Sequence, residues 1–257
     1  MKNTKTIVLI HGMFVNNTSW AAWKAYFEAH GYTVYTPANP GHDGEPVNLR
    51  ASIHPDLIKI GFEDVVQNII KLIHTLPEKP IVVGHSMAGL VVQKLVELNE
   101  AVAGVSINGA PPRNVLAPLY TIKIVWPAVN FFKGHSSYLG SREWYNKAFF
   151  NTLSEEEAAR AYDAVAVPES RKIGQETLTK SFSNIDFGKP HHPLLFISGT
   201  RDNIFPTTLT KKIANKYKDN NSVVAYKEFE GRSHYICGER GWEEVAEYIL
   251  QWVRKVS

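Results

Sequence analysis

Cysteine is almost absent from this chain: Cys237 is the only one in 257 residues. An intramolecular disulfide is excluded, and a cytoplasmic protein is expected, because disulfides mark oxidising compartments. Cys237 itself reads as a small buried residue. Long apolar runs are missing too. After the polar start Met1-Lys2-Asn3-Thr4-Lys5-Thr6, only four apolar residues precede His11, too few for the apolar region of a signal peptide. The stretch 115–132 is interrupted by Pro118, Lys123, Pro127 and Asn130, so no membrane span is expected. Charge of one sign is scarce as well. The 28 basic and 25 acidic side chains give a net +3 and are scattered, which excludes the basic footprint of a nucleic-acid partner. No internal repeat or low-complexity segment is present. What remains is a chain of ordinary globular composition, long enough for one large domain or one domain with an insertion.

Apolar periodicity orders that chain. Short β-branched or apolar runs predict strands over 6–10, 33–36, 81–83, 102–107, 193–198 and 223–229. Helical spacing of apolar residues lies between them. Trp20, Trp23, Tyr26 and Phe27 predict one helix, capped by Thr18 or Ser19, and Val66, Ile69, Ile70 and Ile73 predict another over 63–76. Pro206 fits the first turn of a helix running to about Tyr217, and Trp242, Val245, Ala246, Ile249, Leu250 and Val253 trace the core face of a last one. Residues 45–61 lack a period and are expected to be loop with one helical turn. Alternating strands and helices imply a parallel sheet covered on both faces. The rhythm breaks between residues 111 and 189, where helical patterns and aromatics dominate and no strand is expected. Ser154 and Glu157 there have the spacing of a capping box. The expected organisation is an α/β core over 1–110 and 190–257, with a helical cap over 111–189 inserted between two core strands.

The stretch Val82-Val83-Gly84-His85-Ser86-Met87-Ala88-Gly89-Leu90 passes from strand to helix at a serine. It reads either as an ordinary helix cap or as a nucleophile lifted out of a sharp turn, where the residues two before and two after must be small. Gly84, Ala88 and Gly89 satisfy that need, with Ala88 in place of the second glycine of Gly-x-Ser-x-Gly. In a parallel sheet, groups that follow the strands gather at one edge. His11-Gly12-Met13 follows the first strand, Ser86 the third, Asp202 the fifth and His234 the sixth. A serine hydroxyl needs an imidazole to take its proton, and the imidazole needs a carboxylate on its other nitrogen. Ser86, Asp202 and His234 supply those groups in the chain order that this elbow uses. The backbone N–H groups of Met87, in the first helical turn, and of Met13 are candidates for an oxyanion hole. Asp43 and Asp186 are fallback acids. His11 and His85 read as structural, and His191-His192 lacks a third ligand for a metal.

Ile10-His11-Gly12-Met13, Gly84-His85-Ser86-Met87-Ala88-Gly89, Gly199-Thr200-Arg201-Asp202 and Gly231-Arg232-Ser233-His234 together resemble the α/β-hydrolase superfamily. The likeness runs from Thr6 to the last helix and leaves out the inserted segment. The loop Pro40-Gly41-His42-Asp43-Gly44 is also similar to that family's loop after the second strand of this core. The resemblance implies an eight-stranded, mostly parallel sheet whose first two antiparallel strands are missing here, leaving six and a more exposed edge. It implies a serine hydrolase, carboxylesterase- or lipase-like, acting on a small apolar ester through an acyl-enzyme, with no cofactor and no metal. Carbon–carbon bond hydrolases or lyases, and ligand receptors that retain the three residues, are the alternatives on the same scaffold. A small-molecule ester is the expected partner; the sequence is silent on oligomeric state.

Overall fold

The β-branched runs form strands in the computed structural model, which describes residues 4–256. Met1, Lys2, Asn3 and Ser257 lie outside the described residues, and with them the first half of the polar start and the outer limits of the expected core segments. In chain order the strands are β1 (Thr6–Ile10), β2 (Thr33–Tyr35), β3 (Ile81–His85), β4 (Ala103–Ile107), β5 (Ser137–Tyr138), β6 (Glu169–Ser170), β7 (Leu194–Gly199) and β8 (Val224–Phe229). Six of them build one sheet in the order β2-β1-β3-β4-β7-β8. Every neighbouring pair in it is parallel. The edge next to β1 is β2, only three residues long, which limits the unpaired backbone presented there.

Among the described residues ten α-helices accompany the strands: α1 (Ala21–Ala29), α2 (Pro46–Ala51), α3 (Phe62–Ile73), α4 (Met87–Glu97), α5 (Leu119–Val129), α6 (Arg142–Ala148), α7 (Glu155–Val165), α8 (Arg171–Thr179), α9 (Thr207–Ala214) and α10 (Trp242–Val256). Strand side chains alternate between faces, so β1 feeds two cores. Val8 and Ile10 pack with α3, α4 and α9, and Ile7 and Leu9 with α1 and α10. β1, β3, β4 and β7 are buried along their whole length, which is why they read as continuous apolar runs.

Several local expectations are corrected. Asn16, not Thr18 or Ser19, caps the turn before α1: its Oδ1 accepts from Thr18 N–H at 3.2 Å, and Asn17–Trp20 is a 3-10 turn leading into the helix. Residues 45–61 hold α2 and a 3-10 turn, Pro55–Lys59. Both start at a proline, whose fixed φ suits a first helical position, and both are too short for a periodic signal. Pro206 precedes α9 rather than opening it, and that helix stops at Ala214. Between β4 and β7 the chain leaves the sheet for α5–α8, but also for β5 and β6, an antiparallel pair of two residues each. Two residues cannot display an alternating pattern, so this pair has no signature in the sequence. The capping box forms at α7, Ser154 with Glu157.

Candidate active site

The β3–α4 junction turns the chain at Ser86, held at φ 59° and ψ −123°. Two close approaches enforce the turn. A Cβ on Gly84 would lie 2.3 Å from the Ala88 carbonyl oxygen, and one on Gly89 would lie 2.5 Å from the Cα of Gly109. The strand and helix therefore touch where small residues were required, and Ala88 fits because the crowding falls on its backbone. The Ser86 carbonyl accepts from Gly89 N–H and Ala110 N–H, both at 2.9 Å. Gly12 closes the other side: a Cβ there would lie 2.8 Å from Ser86 Cβ.

The sheet edge brings Asp202 and His234 to this serine. His234 Nε2 is 2.9 Å from Ser86 Oγ, and His234 Nδ1 is 2.8 Å from Asp202 Oδ2. Neither the imidazole nor the carboxylate side chain is exposed. The second oxygen of Asp202 accepts from Ile204 and Phe205 N–H at 2.7 and 2.9 Å, so the loop after β7 fixes the carboxylate. Gly199 is required at the start of that loop, since a Cβ would lie 2.4 Å from the Arg232 carbonyl oxygen.

A second set of residues, of which the sequence pointed only to His85, holds this arrangement. His85 Nε2 donates to the His234 carbonyl at 2.7 Å. Asn108 donates to the Ser233 carbonyl at 3.0 Å and accepts from Gly199 N–H at 2.8 Å, tying the β7 and β8 loops together. Glu239 accepts from Ser233 N–H and hydroxyl at 3.0 and 2.9 Å. Phe149 and Phe205 stand edge-on to the His234 ring, at 4.9 and 5.6 Å between centroids. The one signal that could have found any of the others is Asn108-Gly109 at the end of a strand, a turn signature with no chemistry of its own. His11 is structural as expected: its Nδ1 donates to the Gly12 carbonyl at 2.8 Å and its Nε2 accepts from Asn39 N–H at 2.9 Å. Burial, with the nearby His42 charge adding to it, lowers the His11 pKa to about 3. Burial and the neighbouring His234 do the same to His85, also to about 3.

Ser86 opens onto an apolar cavity. Met13, Met87, Ile122, Val125, Trp144 and Phe149 are on its wall, and among the described residues none that lines it is charged. Met13 and Met87 thus flank Ser86 on the same cavity. Met87 opens α4, where an N–H has no partner within the helix. The chain between β4 and β7 supplies Ile122, Val125, Trp144 and Phe149, and it is fastened to the Met13 loop, since Tyr145 hydroxyl and Val167 N–H both donate to the Phe14 carbonyl at 2.6 and 3.1 Å. The other candidates lie elsewhere. Asp43 and Asp186 are exposed. His191 and His192 face different partners, the His192 carbonyl and Asn99. Cys237 is half-buried rather than buried. Among the described residues no group of three His, Cys, Asp or Glu side chains could hold a metal ion, and no helix is long and apolar enough to cross a membrane.

Residues 7–248 match the model of the alpha/beta hydrolase family. No curated protein matches the chain. Among solved structures, the chain is similar to a monoacylglycerol lipase from Paleococcus ferrophilus at 19% identity and TM-score 0.69, covering 99% of this chain and 96% of that one. It is similar to an Arabidopsis methylesterase at 15% identity and TM-score 0.71, covering 97% and 98%. Tomato methylketone synthase I bound to 2-tridecanone gives 17% identity and TM-score 0.68, covering 99% of each chain. At these identities the likeness is one of fold.

Proposed function

The chain belongs to the alpha/beta hydrolase family, and from that premise we propose that it is a serine hydrolase cleaving carboxylic esters with an apolar acyl group, the inserted helices α5–α8 forming a cap over the site. Ser86 is the nucleophile, His234 the base and Asp202 the acid that orients it. The observation carrying this reading is the 2.9 Å contact between His234 Nε2 and the Oγ of a serine held at positive φ. Such a conformation persists only where the surroundings impose it.

Each step uses a group already described. With Nδ1–H donated to Asp202, the Nε2 of His234 is free to take the Ser86 proton as Oγ attacks the ester carbonyl. The oxyanion that forms accepts from the N–H groups of Met13 and Met87, whose removal in such sites costs about 10²–10³ in turnover. Collapse breaks the bond to the alcohol, which leaves with the proton from His234. Water then enters, gives its proton to His234 and its hydroxide to the acyl carbonyl. The acid departs and the proton returns to Ser86. The uncharged cavity wall favours an apolar acyl group, because a charged one would be desolvated without a partner. Two structures of this fold are named a lipase and a methylesterase, in accord with an ester substrate.

The test is turnover of p-nitrophenyl butyrate by the wild type and by Ser86→Ala. The variant is expected to fold normally by circular dichroism and to lose at least about 10³-fold in kcat. Equal rates would overturn the assignment.

A further inference from the structure

Helix α5 has two faces, and ester cleavage uses one. Ile122, Val125, Ala128 and Val129 line the cavity. On the opposite side Leu119, Lys123 and Trp126, spaced by four and three residues, are exposed. The patch continues at both ends: Leu116 before the helix is 82% exposed, and Phe132 in the following turn, Phe131–Lys133, is 90% exposed. The ring of Trp126 lies 6.4 and 6.3 Å from those of Phe131 and Phe132, so the aromatics form one surface cluster. Single exposed apolar side chains are ordinary, but a contiguous set marks an interaction surface.

Charge identifies the partner. Residues 101–142 contain no Asp or Glu, whereas Arg113, Lys123 and Lys133 are basic; Arg142 is paired with Asp163. Lys123 stands in the middle of the apolar face and Lys133 follows Phe132, both exposed. We propose that α5 and the turn after it dock the protein on the surface of an anionic phospholipid bilayer. Leu119, Trp126 and Phe132 enter the boundary of the acyl region, while the lysines extend their stems and reach the phosphates. A second copy of the chain is a poorer occupant. A two-fold interface would set the lysines of this face against their own counterparts, with no carboxylate in the stretch to neutralise them. The docked helix would have lipid on its outer side and the cavity of Ser86 on its inner side. That last juxtaposition rests on the ester-hydrolase reading; docking itself does not.

The experiment is co-sedimentation of the full chain with vesicles of equal parts phosphatidylcholine and phosphatidylglycerol, and with phosphatidylcholine alone. Binding is expected to the anionic vesicles, weakening as salt is added. The pair Leu119→Ser and Phe132→Ser should lower partitioning at least about tenfold, with p-nitrophenyl butyrate turnover and circular dichroism unchanged. Running Ser86→Ala in parallel separates the two readings, since loss of turnover leaves docking intact. Absence of binding to the anionic vesicles, or binding unchanged in the double variant, would overturn the proposal. So would a wild-type dimer that the double variant converts to monomer in sedimentation velocity, which would assign the patch to a second copy.

Discussion

Ser86 occupies a backbone region that costs a non-glycine residue about 1–3 kcal/mol, at φ 59° and ψ −123°. Glycine adopts that region freely but gives back about 0.5–1 kcal/mol through the greater freedom of its unfolded chain. Relative to Ser86→Ala, which loses the same hydroxyl contact with His234, Ser86→Gly should therefore gain about 1 kcal/mol, raising Tm by roughly 2–4 °C. Thermal unfolding followed by circular dichroism reads this directly, and an unchanged or lower Tm would show that the turn stores no strain. At this scale the sequence was informative where a residue ends a strand. Ser86, Asp202 and His234 could be singled out because each follows an apolar run that a parallel sheet aligns with the others. Asn108 and Glu239 could not, because they act through backbone groups of the Ser233–His234 turn, and such contacts have no sequence spacing. Phe149 reached the His234 ring from within a segment crowded with aromatics, where nothing distinguishes one from the next.

Among the elements, the sheet strands and long helices were legible from their periods, and the short pieces were not. One short piece fastens the chain between β4 and β7 to the loop after β2. Glu169, in β6, faces His42 from the loop after β2 at 3.2 Å, with both side chains buried. The contact is electrostatic rather than a well-formed hydrogen bond. Burial of His42 opposes its charge, but the attraction of Glu169 prevails and its pKa is raised above 6.5. A raised histidine contributes its stabilisation fully below its unfolded value near 6.5, and loses it as pH rises through the folded value. Glu169→Gln leaves His42 without a counter-charge, a loss of about 3–5 kcal/mol when a buried pair is broken. The expected result is a Tm well below that of the wild type near pH 6, with the gap narrowing as pH is raised above neutrality. A gap that stays constant across that range would mean that His42 is not charged in the folded protein.

For the whole molecule, the opposite sign applies at acid pH. His11 and His85 are both completely buried and held at about 3, well below the value of 6.5 expected in the unfolded chain. Their stabilisation is present above 6.5 and is lost as pH falls, because the unfolded chain takes up two protons that the folded one refuses. Each accounts for up to about 1.4 kcal/mol per pH unit in that window. The alternation of strands and helices dictates where this weakness falls. His11 ends the run of β1 and His85 is the last residue of β3, so both lie beneath the edge where Ser86 and His234 meet, with the His85 ring 4.8 Å from that of His234. Acid thus attacks the foundation of the site and the two cores together. His85→Asn should make the fall in stability shallower by about 1.4 kcal/mol per pH unit between pH 6 and 4, measured by urea unfolding at each pH. It should also raise KM or lower kcat by loosening the His234 carbonyl, which accepts from His85. An unaltered slope would place the acid-sensitive protons elsewhere in the molecule.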